Sequence, residues 1–190
     1  MANFIASPGD FLRGSIKVPG DKSISHRSIM LGSIANGVTN VSGFLEGEDS
    51  LATLNAFKDM GVKIEREGSN VVINGVGING LRPSLKPLNL GNSGTSIRLM
   101  TGLLSAQNFD STLCGDESLS KRPMARIIDP LSEMGAIIKS SDSMPPLSIS
   151  GNQKLSALKY TLPVASAQIK SCLLLAGLYA DGETCIKENV

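Results

Sequence analysis

The stretch Leu88-Asn89-Leu90-Gly91-Asn92-Ser93-Gly94-Thr95-Ser96-Ile97-Arg98-Leu99-Met100 decides how this chain is read. Its first residues are too few and too loop-like to make a helix. Ile97, Met100, Leu103 and Leu104 then recur at helical spacing. Between the two runs lie six small residues, Gly91 to Ser96. Asn92 or Ser93 can cap the helix, and Gly91 and Gly94 let the backbone come close to a ligand. A helix start offers free N–H groups and the positive end of the dipole, which together suit an anion. Arg98 follows Gly94 by four residues and shares its face. An ordinary strand-to-helix turn uses the same small residues, so the rest of the chain must decide between the two readings.

The whole chain has 190 residues and a formal net charge of +1. Hydrophobic residues make up 41% and charged residues 18%, the balance of a soluble globular protein with one sizeable core. The near-neutral balance argues against a nucleic-acid binder that relies on bulk charge. Trp is absent and aromatics are only 4%, so base-stacking platforms are not expected. No apolar run approaches a membrane span, and the N-terminus lacks the pattern of a signal peptide. Cys114, Cys172 and Cys185 are odd in number and lack metal-ligand spacing. They read as free or buried thiols of a cytoplasmic protein without a metal centre.

Taken in order, the chain repeats itself. Met1 to Ile5 and Gly14 to Val18 read as short strands around a Pro-Gly-Asp turn. Ser23 is placed to cap a helix running to about Asn36 and stopping at Gly37. Val38–Phe44 reads as a strand, Glu48–Met60 as an amphipathic helix, and Val62–Glu65 with Asn70–Asn74 as a hairpin. The same order then recurs: Leu88–Leu90, the opening helix, strand Ser111–Cys114, and a helix from Pro123 to Met134 bent by Pro130. Strands Ala136–Lys139 and Leu147–Ser150 follow. Letters repeat too, as in Asp59-Met60-Gly61-Val62-Lys63-Ile64 against Glu133-Met134-Gly135-Ala136-Ile137-Ile138. A third copy begins with strand Lys159–Pro163, a helix opened by Ser166, and strand Thr184–Ile186, and it stops at Val190. The pattern predicts an α/β fold of repeated βαβαββ units whose third unit is truncated.

The three helix starts line up as Ser23-x-x-x-Arg27, Gly94-x-x-x-Arg98 and Ser166-x-x-x-Lys170. Each pairs a small residue with a cation one turn further in. Units packed around a shared axis would bring three helix mouths to one cleft, a site for a ligand with several negative charges. Lys170 reads equally as an ordinary solvated lysine.

Four segments together resemble the enolpyruvyl transferase family. They are Val18 to Arg27 (VPGDKSISHR), Leu90 to Arg98 (LGNSGTSIR), Arg122-Pro123-Met124 and Ser166-Ala167-Gln168. The likeness runs over essentially the whole chain. It implies an inside-out α/β barrel with units around a pseudo-threefold axis. It further implies that residues 19–190 form an incomplete N-terminal lobe. By the same resemblance residues 1–18 are expected to be strands belonging to a second, C-terminal lobe, and the whole protein is expected to be a monomer. The branch resembled most transfers the enolpyruvyl group of phosphoenolpyruvate to the 5-hydroxyl of shikimate 3-phosphate, with no metal or organic cofactor. By this resemblance Lys22, Ser23, Arg27, Ser166, Ala167 and Gln168 hold shikimate 3-phosphate. Lys22, Gly94, Arg122 and Gln168 hold phosphoenolpyruvate, and Lys22 is the catalytic candidate in a set this span does not complete. Ala167 replaces a serine common in the family, and Leu99 replaces a proline, so the turn after Gly94 is expected to sit differently.

The remaining polar residues have plainer readings. His26, the only histidine, reads as a partly buried helix residue kept neutral by Lys22 and Arg27 rather than as a general base. Cys114 reads as core, and Asp21, Asp49 and Glu117 as solvated or capping carboxylates. Met30, Met60, Met100 and Met134 fall at helical packing positions. Two other functions fit part of the pattern: a transferase acting on UDP-N-acetylglucosamine, disfavoured by Ser23 with Arg27 and by the lack of a cysteine in the loop Gly115 to Lys121, and a non-catalytic module binding a phosphorylated ligand.

Overall fold

Four of the six helices among the described residues start where a small polar side chain takes up a free N–H group of the first turn: Asp21, Ser93, Asp116 and Ser166. The computed structural model describes residues 3–9, 11 and 13–188. The first unit contains α1 (Lys22–Ile34), β1 (Asn36–Val41), α2 (Glu48–Asp59), β2 (Lys63–Glu67) and β3 (Asn70–Val76). The second contains β4 (Leu88–Asn89), α3 (Gly94–Leu104), β5 (Ser111–Cys114), α4 (Glu117–Ser120), α5 (Ala125–Glu133), β6 (Ile138–Ser141) and β7 (Met144–Ile149). The third contains β8 (Lys159–Leu162), α6 (Ala167–Gly177) and β9 (Cys185–Glu188).

The predicted repeat is present. Its sheets run β1-β3-β2, β4-β5-β7-β6 and β8-β9. In the second and third units a parallel pair, β4 with β5 and β8 with β9, is joined through α3 and α6 respectively. The hairpins β2–β3 and β6–β7 are antiparallel. Gly91, at φ +57°, makes the tight turn out of β4 that a residue with a Cβ rarely adopts.

Helix α3 is the hub of the core. Nine of its eleven residues are buried, including Ile97, Leu99, Met100, Leu103 and Leu104. It packs most closely on α6 and also touches α1, α2, α5 and β5. Gly102 makes the α6 contact possible, because a Cβ there would lie 2.1 Å from the Cys172 carbonyl oxygen. Met30, Met60, Met100 and Met134 are all buried, as expected. Leu99 is fully buried inside an unbroken α3.

Several expectations need correction. Among residues 3–9, 11 and 13–18 there is no strand, and Met1 and Ala2 lie outside the described residues. A strand needs a partner ladder, and these residues have none. Phe4, Ile5, Phe11, Ile16 and Val18 stand exposed. Asp21 rather than Ser23 caps α1, its carboxylate accepting from the Ile24 N–H. The helix ends at Ile34, and Asn36 and Gly37 pair with β3 instead. The helix expected from Pro123 to Met134 is present but starts two residues later, and a separate short helix precedes it. Asp116 caps the short α4, and the Met124 N–H is drawn to the Ser143 carbonyl at 2.7 Å, so α5 starts only at Ala125. Ala136 stays out of β6 because its N–H bonds the Leu131 carbonyl at the end of α5. Cys114 is half-buried rather than core, with its Sγ 3.7 Å from the Leu88 carbonyl. No helix among the described residues is long and apolar enough to cross a membrane.

In an exposed helix, Gly→Ala gains about 1 kcal/mol of stability. At Gly102 the added methyl must push α3 from α6. Gly102→Ala should therefore lower stability by about 1–3 kcal/mol. Urea denaturation followed by circular dichroism measures this, and an unchanged or raised midpoint would show that the two helices do not pack this closely.

Candidate functional site

The three helix starts singled out in the sequence lie together, tied to one another by side chains. Arg27 on α1 donates to Ser171 Oγ on α6 at 2.6 Å. Arg98 on α3 donates to Gln168 Oε1 at 3.1 Å, and Gln168 Nε2 donates back to Thr95 Oγ1 at 3.1 Å. His26 on α1 reaches Thr53 on α2 and Ser96 on α3. The mouths of α1, α3 and α6 thus form one surface.

At the mouth of α1, Lys22 is exposed and pairs with Asp49 from the first turn of α2. Asp49 was expected to be a solvated or capping carboxylate. It instead holds the ammonium group in position, and a ligand anion would have to share or displace it. Ser23 is exposed, and its carbonyl accepts from Arg27 at 3.1 Å.

The mouth of α3 is the most strongly cationic part. Ser93 caps the helix, accepting from the Ser96 N–H. Gly94 lies beneath two guanidinium groups: a Cβ built on it would come 2.9 Å from Arg98 Nη1 and 3.0 Å from Arg122 Nη1. Arg122 donates to Asn92 Oδ1 and, at 3.3 Å, to Ser118 Oγ. Arg98 also donates to the Gly94 and Pro123 carbonyls. Burial, followed by the nearby charges of Arg122 and Arg126, pushes the pKa of Arg98 below the usual guanidinium value. Among the described residues none of Arg27, Arg98, Arg122 and Arg126 forms a salt bridge. Like charges held close together with neutral acceptors alone favour an incoming carboxylate or phosphate.

At the mouth of α6, Ser166 is the cap, and its hydroxyl accepts from the Ile169 N–H at 3.4 Å. Ala167 is exposed and offers no hydroxyl there. Lys170 pairs with Glu188 of β9 at 2.9 Å, so it is neither a free cation of the cluster nor a simply solvated lysine. Every other site residue named from the sequence lies on this surface. Reading the sequence missed Thr95, Asn92, Asp49 and Arg126. The Arg122-x-x-x-Arg126 spacing was available as a signal, whereas the Asn92 and Asp49 contacts bridge distant segments. Among the described residues, no group of His, Cys, Asp and Glu side chains is arranged to hold a metal ion.

His26 is fully buried, not partly so. Burial is the main cause that pushes its pKa down to about 4. Lys22 and Arg27 add to this, and Asp49 opposes it. The unfolded imidazole titrates near 6.5, so between about pH 6.5 and 4 the unfolded chain binds the extra proton. This stabilising term is complete above that window and is lost as the pH falls through it, on the order of 3 kcal/mol in all. Urea titrations of the chain and of His26→Asn at pH 7.5 and 4.5 should show the parent's advantage shrinking at the lower pH. An advantage that stays constant would contradict the neutral buried imidazole.

The family model described as EPSP synthase (3-phosphoshikimate 1-carboxyvinyltransferase) matches residues 6–190. The 3-phosphoshikimate 1-carboxyvinyltransferase of Vesicomyosocius okutanii is 66% identical over 190 residues, covering 100% of this chain and 44% of that relative. The Ruthia magnifica protein of the same name is 68% identical over 188 residues, covering 99% of this chain and 43% of that relative. A solved structure of EPSP synthase from Acinetobacter baumannii superposes with a TM-score of 0.89 at 59% identity, over 92% of this chain and 40% of that one. The chain thus spans less than half the length of these relatives. Its sequence, its α/β fold and its three joined helix mouths place it in the EPSP synthase family.

Proposed function

We propose that this chain is the substrate-holding part of an enzyme that moves the enolpyruvyl group from phosphoenolpyruvate to the 5-hydroxyl of shikimate 3-phosphate. The observation that carries this reading is the single surface of three helix mouths, ringed by arginines without carboxylate partners, in a chain of this family. Shikimate 3-phosphate would lie across α1 and α6, held by Lys22, Ser23, Arg27, Ser166 and Gln168, with Ala167 contributing only backbone. Phosphoenolpyruvate would lie over Gly94, between Lys22, Arg122 and Gln168. Arg98 backs that pocket by orienting Gln168.

In the reaction the 5-hydroxyl gives up its proton as its oxygen bonds to C2 of phosphoenolpyruvate, and a proton adds to C3. The tetrahedral intermediate then loses phosphate from C2 and a proton from C3. This chain's part is to hold both anions in register, which is worth several orders of magnitude when the reacting atoms are aligned. It also balances charge on the departing phosphate through Lys22 and Arg122. The acid–base pair that moves the protons is expected on a second lobe. No metal or organic cofactor enters this scheme, and the enzyme would act in the cytoplasm as a monomer.

Residues 19–190 are read as an incomplete lobe. Helix α2 packs against α1 and α3, and α5 packs against α3 and α6. The remaining pair, α6 and α1, carries an uncovered apolar groove lined by Met30, Leu31, Leu174, Leu175 and Leu178. Leu31, Leu174 and Leu178 are 48%, 46% and 52% exposed, which suits a seat for a third such helix. The exposed apolar side chains of the segment before Pro19 agree with its docking on the second lobe.

The chain alone should show no turnover of phosphoenolpyruvate and shikimate 3-phosphate, whereas mixing it with a separately made second lobe should restore phosphate release. Turnover by the chain alone, or by a mixture offered only UDP-N-acetylglucosamine, would refute the assignment. In the mixture, Gly94→Ala should raise the KM for phosphoenolpyruvate about tenfold or more, because its methyl group would push against both guanidinium forks. An unchanged KM would remove Gly94 from the pocket.

A further inference from the structure

The mouths of α1, α2 and α3 share a buried polar chain that the proposed ligand contacts do not use. His26 Nδ1 lies 2.8 Å from Thr53 Oγ1 and 3.3 Å from Ser96 Oγ. Thr53 Oγ1 lies 2.6 Å from Ser96 Oγ, and Ser96 Oγ donates to Ser93 Oγ at 2.6 Å. All four residues are fully buried. A buried hydroxyl or imidazole without a partner costs about 1–3 kcal/mol, so a chain this closely spaced is worth keeping only if its protons are distributed consistently.

Counting protons fixes the direction. Ser96 gives its hydroxyl proton to Ser93, so it must accept the short bond from Thr53. The Asp49 carbonyl, 3.4 Å from Thr53 Oγ1, is too distant to compete for that proton, so Thr53 has spent it and must accept from the imidazole. Nδ1 therefore carries the hydrogen. His26 Nε2, which has no partner among the described residues, is left as a bare acceptor rather than a stranded donor. The opposite tautomer would bury an unpaired N–H and reverse every link.

Each member stands close to a residue of the anion surface. His26 is one turn beyond Lys22 and adjacent to Arg27. Thr53 is one turn beyond Asp49, which holds Lys22. Ser93 caps α3 immediately before Gly94. We propose that His26 is a positioning residue, whose Nδ1–H opens a one-way chain through Thr53 and Ser96 to Ser93 that fixes the three helix mouths for gripping a phosphorylated substrate. The substrate part of this inference rests on the function proposed above; the chain itself does not.

The lone histidine makes the test simple, since all imidazole nitrogen signals come from one residue. Nitrogen-15 NMR at pH 7.5 should show a neutral ring protonated at Nδ1. Thr53→Val, which keeps the volume and removes the hydroxyl, should abolish that preference and weaken shikimate 3-phosphate binding about tenfold. Thr53→Ser should restore both. Ser96→Ala cuts the next link and repeats the comparison if the valine variant does not fold. An Nε2-protonated ring in the parent would overturn the proposed chain. Equal affinities for the valine and serine variants would overturn the positioning role. A parent that binds no shikimate 3-phosphate yet shows the Nδ1–H ring would overturn the substrate reading and the positioning role with it, leaving the direction of the chain supported.

Discussion

At Gly102 the backbone of α3 lies against the Cys172 carbonyl of α6, with no space for a methyl group between them. That contact brings two helices of different units close along their lengths, and the rest follows from it. With α3 and α6 this close, Thr95 and Arg98 come within reach of Gln168, and the two helix mouths form a single surface. Helix α1 joins them through Arg27 and Ser171. The apolar side of the same arrangement is the core of α3, where Ile97, Leu99, Met100, Leu103 and Leu104 are fully buried. Burying five large side chains of one helix contributes on the order of 10 kcal/mol, enough to offset the repulsion among arginines at its mouth.

The charges at that mouth are arranged for a visitor. Arg98 and Arg122 crowd over Gly94 and meet neutral acceptors: Asn92, Ser118, Gln168 and two carbonyls. Acidic residues nearby are engaged elsewhere. Asp116 takes the Asn92 amide and the Leu119 N–H, which hold its carboxyl below the usual range, and Asp49 takes Lys22. The Arg122 charge also helps to lower the Asp116 carboxyl, so that carboxylate offsets part of the positive field, yet neither Arg98 nor Arg122 is tied up in a salt bridge.

How much of this could be read from the letters depended on sequence distance. The caps at Ser93 and Ser166, the helix Glu48–Met60 and strand Ser111–Cys114 are set by local spacing and matched closely. The repeat was visible because each unit has the same local grammar. The failures were tertiary. The segment Gly14–Val18 has the residues of a strand, but strand formation requires a partner. Asp21 takes the capping role from Ser23 because the helix starts two residues earlier, at Lys22. Lys170 fits the repeated cation pattern, yet Glu188, eighteen residues on, claims it. The full burial of His26 depends on hydroxyls contributed by α2 and α3, which local spacing does not reveal.

The central claim is that three helix mouths make one anion site. Titration of the nitrogen-15-labelled chain with shikimate 3-phosphate, followed by amide NMR, tests it most directly. Signals from residues 22–27, 94–98 and 166–171 should move together and fit one dissociation constant. Movement at one helix alone, or separate constants for each helix, would contradict a shared site.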